Sequence, residues 1–298
     1  MRSTLFSVSY AGLWGQAKLT LEEFVPHARH LGYDAIEIMG KRPHLSPLDW
    51  DDARLQALAA LCADQGVEVA CVAGYTNWLA GASAAEVPLV EMQIQYVEEL
   101  ARASVALACP LVRVFTAYDR ADVPAAEQWS RTVIALQECC DRAARHGVSI
   151  GIQNHHDLAV HSRALAELYR DIDRANLVLM LDPWSICLRG EDPEATAREL
   201  APLVAYTTLA DYVRLPRYRY RPQLINYESG GADLVRAVPL GEGEMDNLAF
   251  LRGLAEGGYD GPVAYEMCSP LRGGGSVENL DRSARQALAW LRDNGFSG

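Results

Sequence analysis

The sequence contains no apolar run that approaches the roughly 20 residues needed to cross a bilayer. Its N-terminal segment, MRSTLFSVSYAGLW, is too short and too polar for a secretory signal peptide. Cysteine is sparse: the chain has 7, an odd number, and no two of them form a CxxC pair. This usage is typical of a reducing compartment rather than of a disulfide framework. We therefore expect a cytoplasmic protein with no membrane partner.

Positive charge is also in short supply. The formal net charge is −12 at pH 7, whereas binding to nucleic acid needs a basic surface that neutralises phosphates. No stretch is polar enough to predict disorder, and a chain of 298 residues that is 50% hydrophobic can bury a large core. The composition is that of a folded protein that acts on small molecules, with no nucleic-acid partner.

Apolar runs of strand length alternate with amphipathic stretches along the whole chain. Helices are indicated by apolar residues at i, i+3 and i+4, as in Leu55, Leu58 and Ala59. The predicted strands are Leu5–Ser9, Ala35–Ile38, Glu68–Val72, Leu111–Phe115, Ser149–Gln153, Leu177–Leu181, Val204–Leu209 and Val263–Glu266. The predicted helices are Leu21–Leu31, Pro47–Gln65, Leu89–Leu107, Ala125–His146, Ser162–Ile172, Pro193–Leu203, Asn247–Glu256 and Val277–Asn294.

Four segments share one sequence pattern, in which the end of a helix and a glycine precede a buried strand. They are HLGYDAIEI, DQGVEVACV, RHGVSIGIQ and EGGYDGPVAYE. Eight β/α units with right-handed crossovers close naturally into a barrel. The alternative is an open doubly wound sheet, which normally carries a glycine-rich phosphate turn after its first strand. The segment YAGLWG does not fit GxGxxG. The sequence therefore predicts an α/β fold, a single (β/α)8 TIM barrel over residues 1–298.

A long loop is predicted after the seventh strand, over Ala210–Asp246, and loops of this length are usually lids or binding loops. Its cluster of arginines and tyrosines, Arg214 to Arg221, has two interpretations. It can bind an anionic or sugar-like substrate through forked guanidinium contacts, or it can pack against a second subunit of a homo-oligomer. The segment Gly273–Ser276 also leaves two interpretations open, a phosphate cradle at a helix start and a flexible connection.

Catalytic groups of such barrels lie at the carboxyl ends of the strands. Glu37, Asp182 and Glu266 each close an apolar run, where isolated charge is costly to bury. Such carboxylates pair with a neighbouring arginine, for which Arg113 is the candidate, or they hold a cation. The candidate catalytic residues are Glu266, His156, His155 and Glu37. The candidate substrate-binding residues are Arg113, Asp211, Arg214 and Trp184.

The adjacent histidines His155 and His156 point to different sides if the fifth strand continues, and His156 is slightly favoured as acid, base or ligand. His161 can simply cap the next helix. Cys187 and Cys268 lie near the barrel mouth, but no paired base supports a thiol nucleophile.

Oxygen-rich groups beside one imidazole suit Mn2+, Mg2+ or Co2+ better than a structural Zn2+. The candidate ligands are Gln153, Asp182, Glu266 and His156. A divalent ion held there would polarise a sugar carbonyl and hydroxyl and make an enediolate easier to form. We therefore expect a divalent metal cofactor, Mn2+ before the others.

These segments resemble the xylose-isomerase-like barrels, a superfamily of sugar phosphate isomerases and epimerases. The resemblance rests on YDAIEI, VSIGIQNHHD, LVLMLDPW and GYDGPVAYEMCSPL and covers nearly the whole chain. It implies a divalent metal, often Mn2+, held by a strand-5 Glu, a strand-6 Asp, a strand-7 His and a strand-8 Glu. In the ketose epimerases of that superfamily, the two glutamates also exchange the substrate proton.

Two of these four ligand positions match, namely Asp182 and Glu266. Gln153 stands where the first Glu is expected, and Thr208 stands where the His is expected. A glutamine can ligate through its amide oxygen, but it cannot act as a general base. The two-glutamate mechanism therefore does not transfer, and the base must be Glu266, Glu37 or one of the histidines.

The resemblance implies first an isomerase or epimerase that acts on a sugar or sugar-like polyol by metal-assisted proton transfer. The alternative is a lyase or dehydratase on a keto-sugar, keto-glycoside or cyclitol, for which one histidine opposite a leaving group is enough. Gln153 and Thr208 also allow a metal-free sugar-binding barrel. The superfamily also includes endonucleases, but this function is disfavoured. The histidine-rich zinc-binding pattern of the endonucleases is missing, and the negative net charge disfavours binding to DNA.

Overall fold

The computed structural model describes residues 1–82 and 86–296. Its strands are β1 (Arg2–Phe6), β2 (Ala35–Met39), β3 (Glu68–Ala73), β4 (Leu111–Val114), β5 (Ser149–Gln153), β6 (Leu177–Leu181), β7 (Val204–Leu209), β8 (Asp211–Leu215), β9 (Tyr218–Arg221), β10 (Asn226–Ser229), β11 (Leu234–Val238) and β12 (Pro262–Tyr265). Its helices are α1 (Leu21–Leu31), α2 (Asp52–Gln65), α3 (Leu89–Ala106), α4 (Ala125–Ala144), α5 (Ser162–Ile172), α6 (Pro183–Leu188), α7 (Pro193–Leu200), α8 (Asn247–Glu256) and α9 (Val277–Asp293).

Eight parallel strands close into a barrel in the order β1-β12-β7-β6-β5-β4-β3-β2. The closing pair is β1 with β12, in which Thr4 lies opposite Ala264. Helices occupy the connections between consecutive barrel strands. The predicted (β/α)8 TIM barrel is confirmed. No helix within the described residues is long and apolar enough to cross a membrane.

The element ends follow local chemistry. Helix α1 begins with a reciprocal capping box between Thr20 and Glu23 and ends at Gly32, whose φ of 99° is in the left-handed region. Helix α2 begins at Asp52 rather than at the predicted Pro47, because the side chain of Asp51 caps it. His161 accepts a hydrogen bond from the backbone N–H of Arg163 and so caps α5, as predicted.

The first strand lies earlier than predicted. It spans Arg2–Phe6 rather than Leu5–Ser9, because residues Ser7–Tyr10 form a 3-10 turn. One helix, Pro183–Leu188, was not predicted at all. Its first residue is a proline directly after Asp182, a position where the ring favours helix initiation.

The predicted irregular loop after the seventh strand is wrong in one respect, since the segment carries four strands. Strands β8 and β11 form an antiparallel ribbon. Strands β9 and β10 form an antiparallel hairpin whose residues are all exposed. Arginine and tyrosine alternate in YRYR of β9, which is the period of a strand rather than of a loop.

A small apolar cluster fills the inside of the barrel and includes Leu111, Met180, Tyr206 and Ala264. Gly151 belongs to the same layer, because a Cβ atom at this position would lie 2.7 Å from the sulfur of Met180. Side chains of a strand alternate between the two faces, so the residue two positions further along each strand also points inward. These residues therefore form the next layer, at the barrel mouth.

A buried histidine supports the strand ends on which this mouth rests. The Nε2–H group of His44 donates to the carbonyl oxygen of Leu19 at 3.0 Å, and Nδ1 accepts from the hydroxyl of Ser7 at 3.0 Å. The Ser7 hydroxyl in turn accepts from the backbone N–H of Met39, at the end of β2. Burial lowers the pKa of His44 to about 4.

We expect the stability of the protein to fall as the pH drops from 6.5 toward 4, in part through His44. The unfolded chain takes up a proton in this window and the folded chain does not, so lower pH favours unfolding. Between about pH 7.5 and pH 5 the loss through His44 is on the order of 2 kcal/mol. Urea unfolding at both pH values should show this loss reduced in His44→Gln but complete in a variant of an exposed histidine, His30→Gln. Equal losses in both variants would assign the effect to other histidines.

Candidate active site

The mouth residues follow from the inward alternation of the strands. Arg113 lies two residues after Leu111, and Glu266 lies two residues after Ala264. Asp182 likewise lies two residues after Met180. All three are buried, with exposed fractions of 2%, 6% and 0% respectively. Because the parallel strands of the barrel all end at the same face, the charged groups of these residues lie at one end of the barrel.

A cavity of about 270 Å³ opens at this mouth. This volume is close to the lower limit of pockets that bind small molecules. Five predicted site residues line it: Arg113, Gln153, His155, His156 and Glu266. The cavity therefore gathers residues from β4, β5 and β12, together with groups that were not predicted from the sequence.

Glu266 is the one carboxylate among the described residues that line the cavity. Its Oε1 atom accepts a hydrogen bond from the thiol of Cys268 at 2.7 Å. Burial raises the pKa of Glu266, while the thiol and Arg113 lower it. Burial and the carboxylate raise the pKa of Cys268 well above its ordinary value, so this thiol is a hydrogen-bond donor. The expectation that Cys268 is no nucleophile agrees with this environment.

Gln153 and Asp182 form a closed pair on the neighbouring strands β5 and β6. The amide nitrogen Nε2 of Gln153 donates to both carboxylate oxygens of Asp182, at 2.7 and 2.6 Å. Asn154 bonds to the backbone N–H and carbonyl of Asp182 at 2.6 and 3.1 Å. Burial and the charge of Glu266 raise the pKa of Asp182. Asp182 is thus held beneath the cavity, and Gln153 stands between it and the cavity space.

His155 presents a defined hydrogen-bond donor. Its Nδ1 atom accepts from the backbone N–H of His156 at 2.8 Å, which assigns the proton of the neutral ring to Nε2. Burial, with smaller contributions from His156 and Arg113, lowers the pKa of His155 to about 3. The ring of Trp184 lies edge-on to that of His155, with 6.4 Å between centroids. Trp184 does not line the cavity, and its role in substrate binding stays a prediction.

His156 adopts a left-handed backbone conformation, with φ of 66°. Such a conformation is strained for a non-glycine residue and is common at functional sites. The His156 ring packs between Phe115 and Tyr118, with centroids 4.2 and 4.1 Å away. Burial lowers its pKa to about 4. Both histidine rings line the cavity, with 4.9 Å between their centroids, so the expected divergence of the two side chains is not found, because a turn rather than a continued strand carries them.

The guanidinium of Arg113 is enclosed by aromatic rings and one carboxylate. Its centre lies 4.0 Å from the ring centroid of Phe115 and 4.9 Å from that of Tyr75. Its Nη1 group donates to the carbonyl oxygen of Gly74 at 3.0 Å, and its Nε atom lies 3.9 Å from Glu37. Arg113 lines the cavity, which is consistent with the predicted contact to substrate.

Glu37 lies under the cavity and is not among the residues that line it. It is completely buried, and neither carboxylate oxygen has a hydrogen-bond partner within the described part of the chain. Burial raises its pKa to about 8, although Arg113 opposes this shift. The predicted catalytic role of Glu37 is therefore not supported by its position. The alternative, a pairing with Arg113, fits the 3.9 Å contact.

Two further residues that were predicted to bind substrate lie outside the cavity. The carboxylate of Asp211 accepts backbone N–H groups from Gly241, Gly243 and Met245, at 2.9, 2.9 and 3.2 Å. Asp211 therefore holds the segment that follows β11 against the start of β8. Arg214 forms an exposed ion pair with Glu244 at 2.8 Å. Neither side chain lines the cavity, since each is held by these partners, and the two substrate-binding roles stay predictions.

The glycine segment before α9 is held by its own chain. Asn279 donates to the carbonyl oxygens of Arg272 and Gly274, at 3.1 and 2.6 Å. Ser276 caps the helix by accepting from the backbone N–H of Asn279. None of these residues lines the cavity. Of the two interpretations, a connection is favoured over a phosphate cradle, but hydrogen bonds hold it, whereas a flexible connection was expected.

The donor set does not fit a resident divalent ion as these residues stand. Over residues 1–82 and 86–296, no group of three or more His, Cys, Asp and Glu side chains is arranged to hold a metal. Both oxygens of Asp182 are occupied by the Gln153 amide, and the His156 ring packs between two aromatic rings. The seventh strand offers Thr208 at its inward position. The expected Mn2+ stays a prediction.

Several residues that line the cavity were not predicted from the sequence. They include Lys41, Tyr75 and Tyr118, which follow the ends of β2, β3 and β4. They could have been found by including the loops that follow the strands, because the active-site residues of such barrels lie in these loops as well as at the strand ends. The sequence does not show which residues of these loops face the cavity, because this depends on the path of the chain in each loop.

A family model described as "Xylose isomerase-like TIM barrel" matches residues 25–294. The chain belongs to this family. Within the xylose isomerase-like TIM barrel family, the D-psicose 3-epimerase of Clostridium cellulolyticum H10, solved with D-tagatose, superposes with a TM-score of 0.74. The two chains are 17% identical and each is covered over 100% of its length. No curated protein matches the sequence.

Two other solved structures are similar. An L-ribulose 3-epimerase has a TM-score of 0.73 and 19% identity, with 98% of this chain and 94% of that chain covered. The probable 3-DHS dehydratase AsbF from Bacillus anthracis has a TM-score of 0.73 and 17% identity, with 98% and 99% covered. At these identities, the similarity shows the xylose isomerase-like barrel fold alone.

Proposed function

We propose that the protein is an isomerase or epimerase that acts on a sugar or sugar-like polyol by proton transfer. The observation that carries this proposal is the pair Glu266 and His155, which line one cavity. They come from β12 and β5, which are separated by β7 and β6 in the eight-stranded barrel. A substrate in the cavity therefore has a carboxylate on one side and an imidazole donor nearly opposite.

In the proposed reaction, Glu266 removes the proton from the carbon next to a substrate carbonyl. Its buried position makes it a stronger base than an exposed carboxylate. The Nε2–H group of His155 donates to the carbonyl oxygen, where negative charge develops in the enediolate. In one outcome, a water molecule protonates the same carbon from the opposite face, and the hydroxide that remains takes the proton of Glu266. In the other outcome, Glu266 returns its proton to the neighbouring carbon, and the proton of the substrate hydroxyl passes through His155 to the former carbonyl oxygen. The first outcome is epimerisation and the second is isomerisation.

Arg113 and the aromatic walls hold the substrate in this arrangement. The guanidinium offers donors that suit sugar oxygens, and Phe115 and Tyr75 exclude water from it. No step requires a metal ion, since the donor set does not fit one. The similarity to a D-psicose 3-epimerase and an L-ribulose 3-epimerase supports a polyhydroxylated carbonyl substrate.

A lyase or dehydratase is the second candidate, and one observation favours it. The position across from Glu266 that would hold a second carboxylate holds Gln153, which cannot take a proton. With one base and a histidine donor, the same enediolate can expel a leaving group instead of receiving a proton. The similarity to a probable 3-DHS dehydratase supports this second candidate.

We expect deuterium to enter a sugar-like substrate when the protein is incubated in D2O with a panel of ketoses, keto-acids and cyclitol ketones. Proton NMR and mass spectrometry should detect an isomer or epimer that carries deuterium at the reacting carbon. A product that has lost water, with the ultraviolet absorbance of an unsaturated carbonyl, would instead establish the lyase. Binding of a panel member without exchange or conversion would contradict both enzymatic proposals and leave a binding protein.

A further inference from the structure

The cavity has an excess of positive charge, and one of its cations, Lys41, has no role in the proposed reaction. Two cations line it, Lys41 and Arg113, against the single carboxylate of Glu266 among the described residues. The chain as a whole has a net charge of −12. A locally cationic pocket in an acidic protein is therefore a feature of the site rather than of the general surface.

Lys41 contacts an aromatic ring rather than a carboxylate. Over residues 1–82 and 86–296, no carboxylate lies within ion-pair distance of its ammonium group. Its Nζ atom lies instead 3.8 Å from the ring centroid of Tyr75. Arg113 approaches the same ring, at 4.9 Å. One aromatic side chain thus brings both cations to one side of the cavity.

Arg113 is only weakly neutralised. Within the described residues, its single carboxylate contact is Glu37 at 3.9 Å, beyond hydrogen-bond distance. The Nε atom of Arg113 is buried and has no hydrogen-bond partner in the same part of the chain. A guanidinium that is 2% exposed and has one carboxylate at 3.9 Å keeps charge that is costly to bury unless a ligand on its cavity side compensates it.

The two cations also repel each other. Burial and the charge of Arg113 both lower the pKa of Lys41. Like charges that are held together beside apolar walls raise the free energy of the empty site. An anion that lies against both groups recovers this free energy and adds charge-assisted hydrogen bonds.

We propose that Lys41 and Arg113 form an anion subsite inside the cavity and that the substrate is a sugar-like molecule with a carboxylate or phosphate group. The part that concerns the substrate rests on the proposed function. The subsite itself rests only on the two cations that line the cavity, the shared Tyr75 ring and the weak neutralisation of Arg113. Carboxylate and phosphate present the same recognition chemistry, oxygen atoms with negative charge.

The sequence makes a direct test possible, because Lys41 and Lys18 are its only lysines. Reductive methylation with 13C-formaldehyde preserves their charge and labels both, together with the N-terminal amine. The Lys18→Arg variant assigns the signals. The probes are acetate, inorganic phosphate, D-glucuronate, D-glucose 6-phosphate and neutral D-glucose, each at matched ionic strength.

We expect the Lys41 signal to move saturably with the anionic probes while the Lys18 signal stays constant. Calorimetry on the unmodified protein should show at least one anionic sugar bound roughly tenfold more tightly than D-glucose, the gain of one charge-assisted hydrogen bond. Lys41→Met should remove this preference, whereas the exposed control Lys18→Met should keep it. Melting temperatures establish that both variants fold, and Lys41→Gln replaces Lys41→Met if needed.

The comparison of D-glucuronate with D-glucose 6-phosphate identifies the carboxylate or the phosphate as the preferred group. The subsite is overturned if no anion moves the Lys41 signal at tens of millimolar, or if D-glucose binds as tightly as both anionic sugars. These outcomes are independent of catalysis. Exchange in D2O on neutral sugars alone would overturn the subsite and support the proposed reaction, while anion binding without exchange would do the reverse.

Discussion

Glu266→Gln is expected to slow substrate deuterium exchange by about 10³-fold, within the range that general bases contribute. The amide keeps the shape of the side chain and can still accept the hydrogen bond from Cys268, but it cannot take a proton. The rate of deuterium incorporation at saturating substrate measures the loss. Because Glu266 is buried beside a hydrogen-bond donor, the folded structure should tolerate the amide.

The matched control is Glu256→Gln, on an exposed carboxylate that pairs with Arg198 far from the cavity. Its exchange rate should equal that of the original protein within a factor of two, since exposed ion pairs contribute little. If Glu266→Gln also retains its exchange rate, the base lies elsewhere in the cavity. The same measurement on His155→Gln and His156→Gln would then locate it.

The barrel could be predicted because its signals are local. Each glycine that ends a helix, and each apolar run that follows it, is determined within about ten residues of sequence. The strand ends then gave Arg113, Gln153 and Glu266 by position alone, and all three line the cavity. Periodicity and the rule for catalytic groups of barrels were enough for these residues.

The remaining assignments depended on tertiary partners that periodicity does not reveal. Asp211 lies two residues after the end of β7, where a catalytic residue is expected, but backbone N–H groups about thirty residues later in the chain occupy its oxygens. Glu37 is completely buried and does not line the cavity. Lys41 was missed because the path of its loop, rather than a strand, turns it toward the cavity. Such residues are identified only when segments distant in sequence are placed together.

The second large effect that we expect is a gain of metal binding, and this expectation is based on the resemblance to metal-dependent relatives. The double variant Gln153→Glu with Thr208→His would provide the four ligands that the resemblance implies, together with Asp182 and Glu266. Thr208 lies two residues after Tyr206 and faces inward, so a histidine there would point to the mouth. We expect Mn2+ at a hundred times its dissociation constant to raise the melting temperature of this variant by about 5 °C.

The original protein should show no such rise, and elemental analysis should find less than one equivalent of divalent metal per chain. Without metal, the double variant should be less stable than the original, because replacing Gln153 removes the amide donor that holds Asp182 and places two carboxylates together. The single variants serve as controls and should bind Mn2+ more weakly than the double variant.

One equivalent of Mn2+ in the original protein, with activity lost to chelation and restored by the metal, would show instead that the Gln153 amide turns its oxygen toward a resident ion. The reaction would then use metal polarisation in place of the His155 donor.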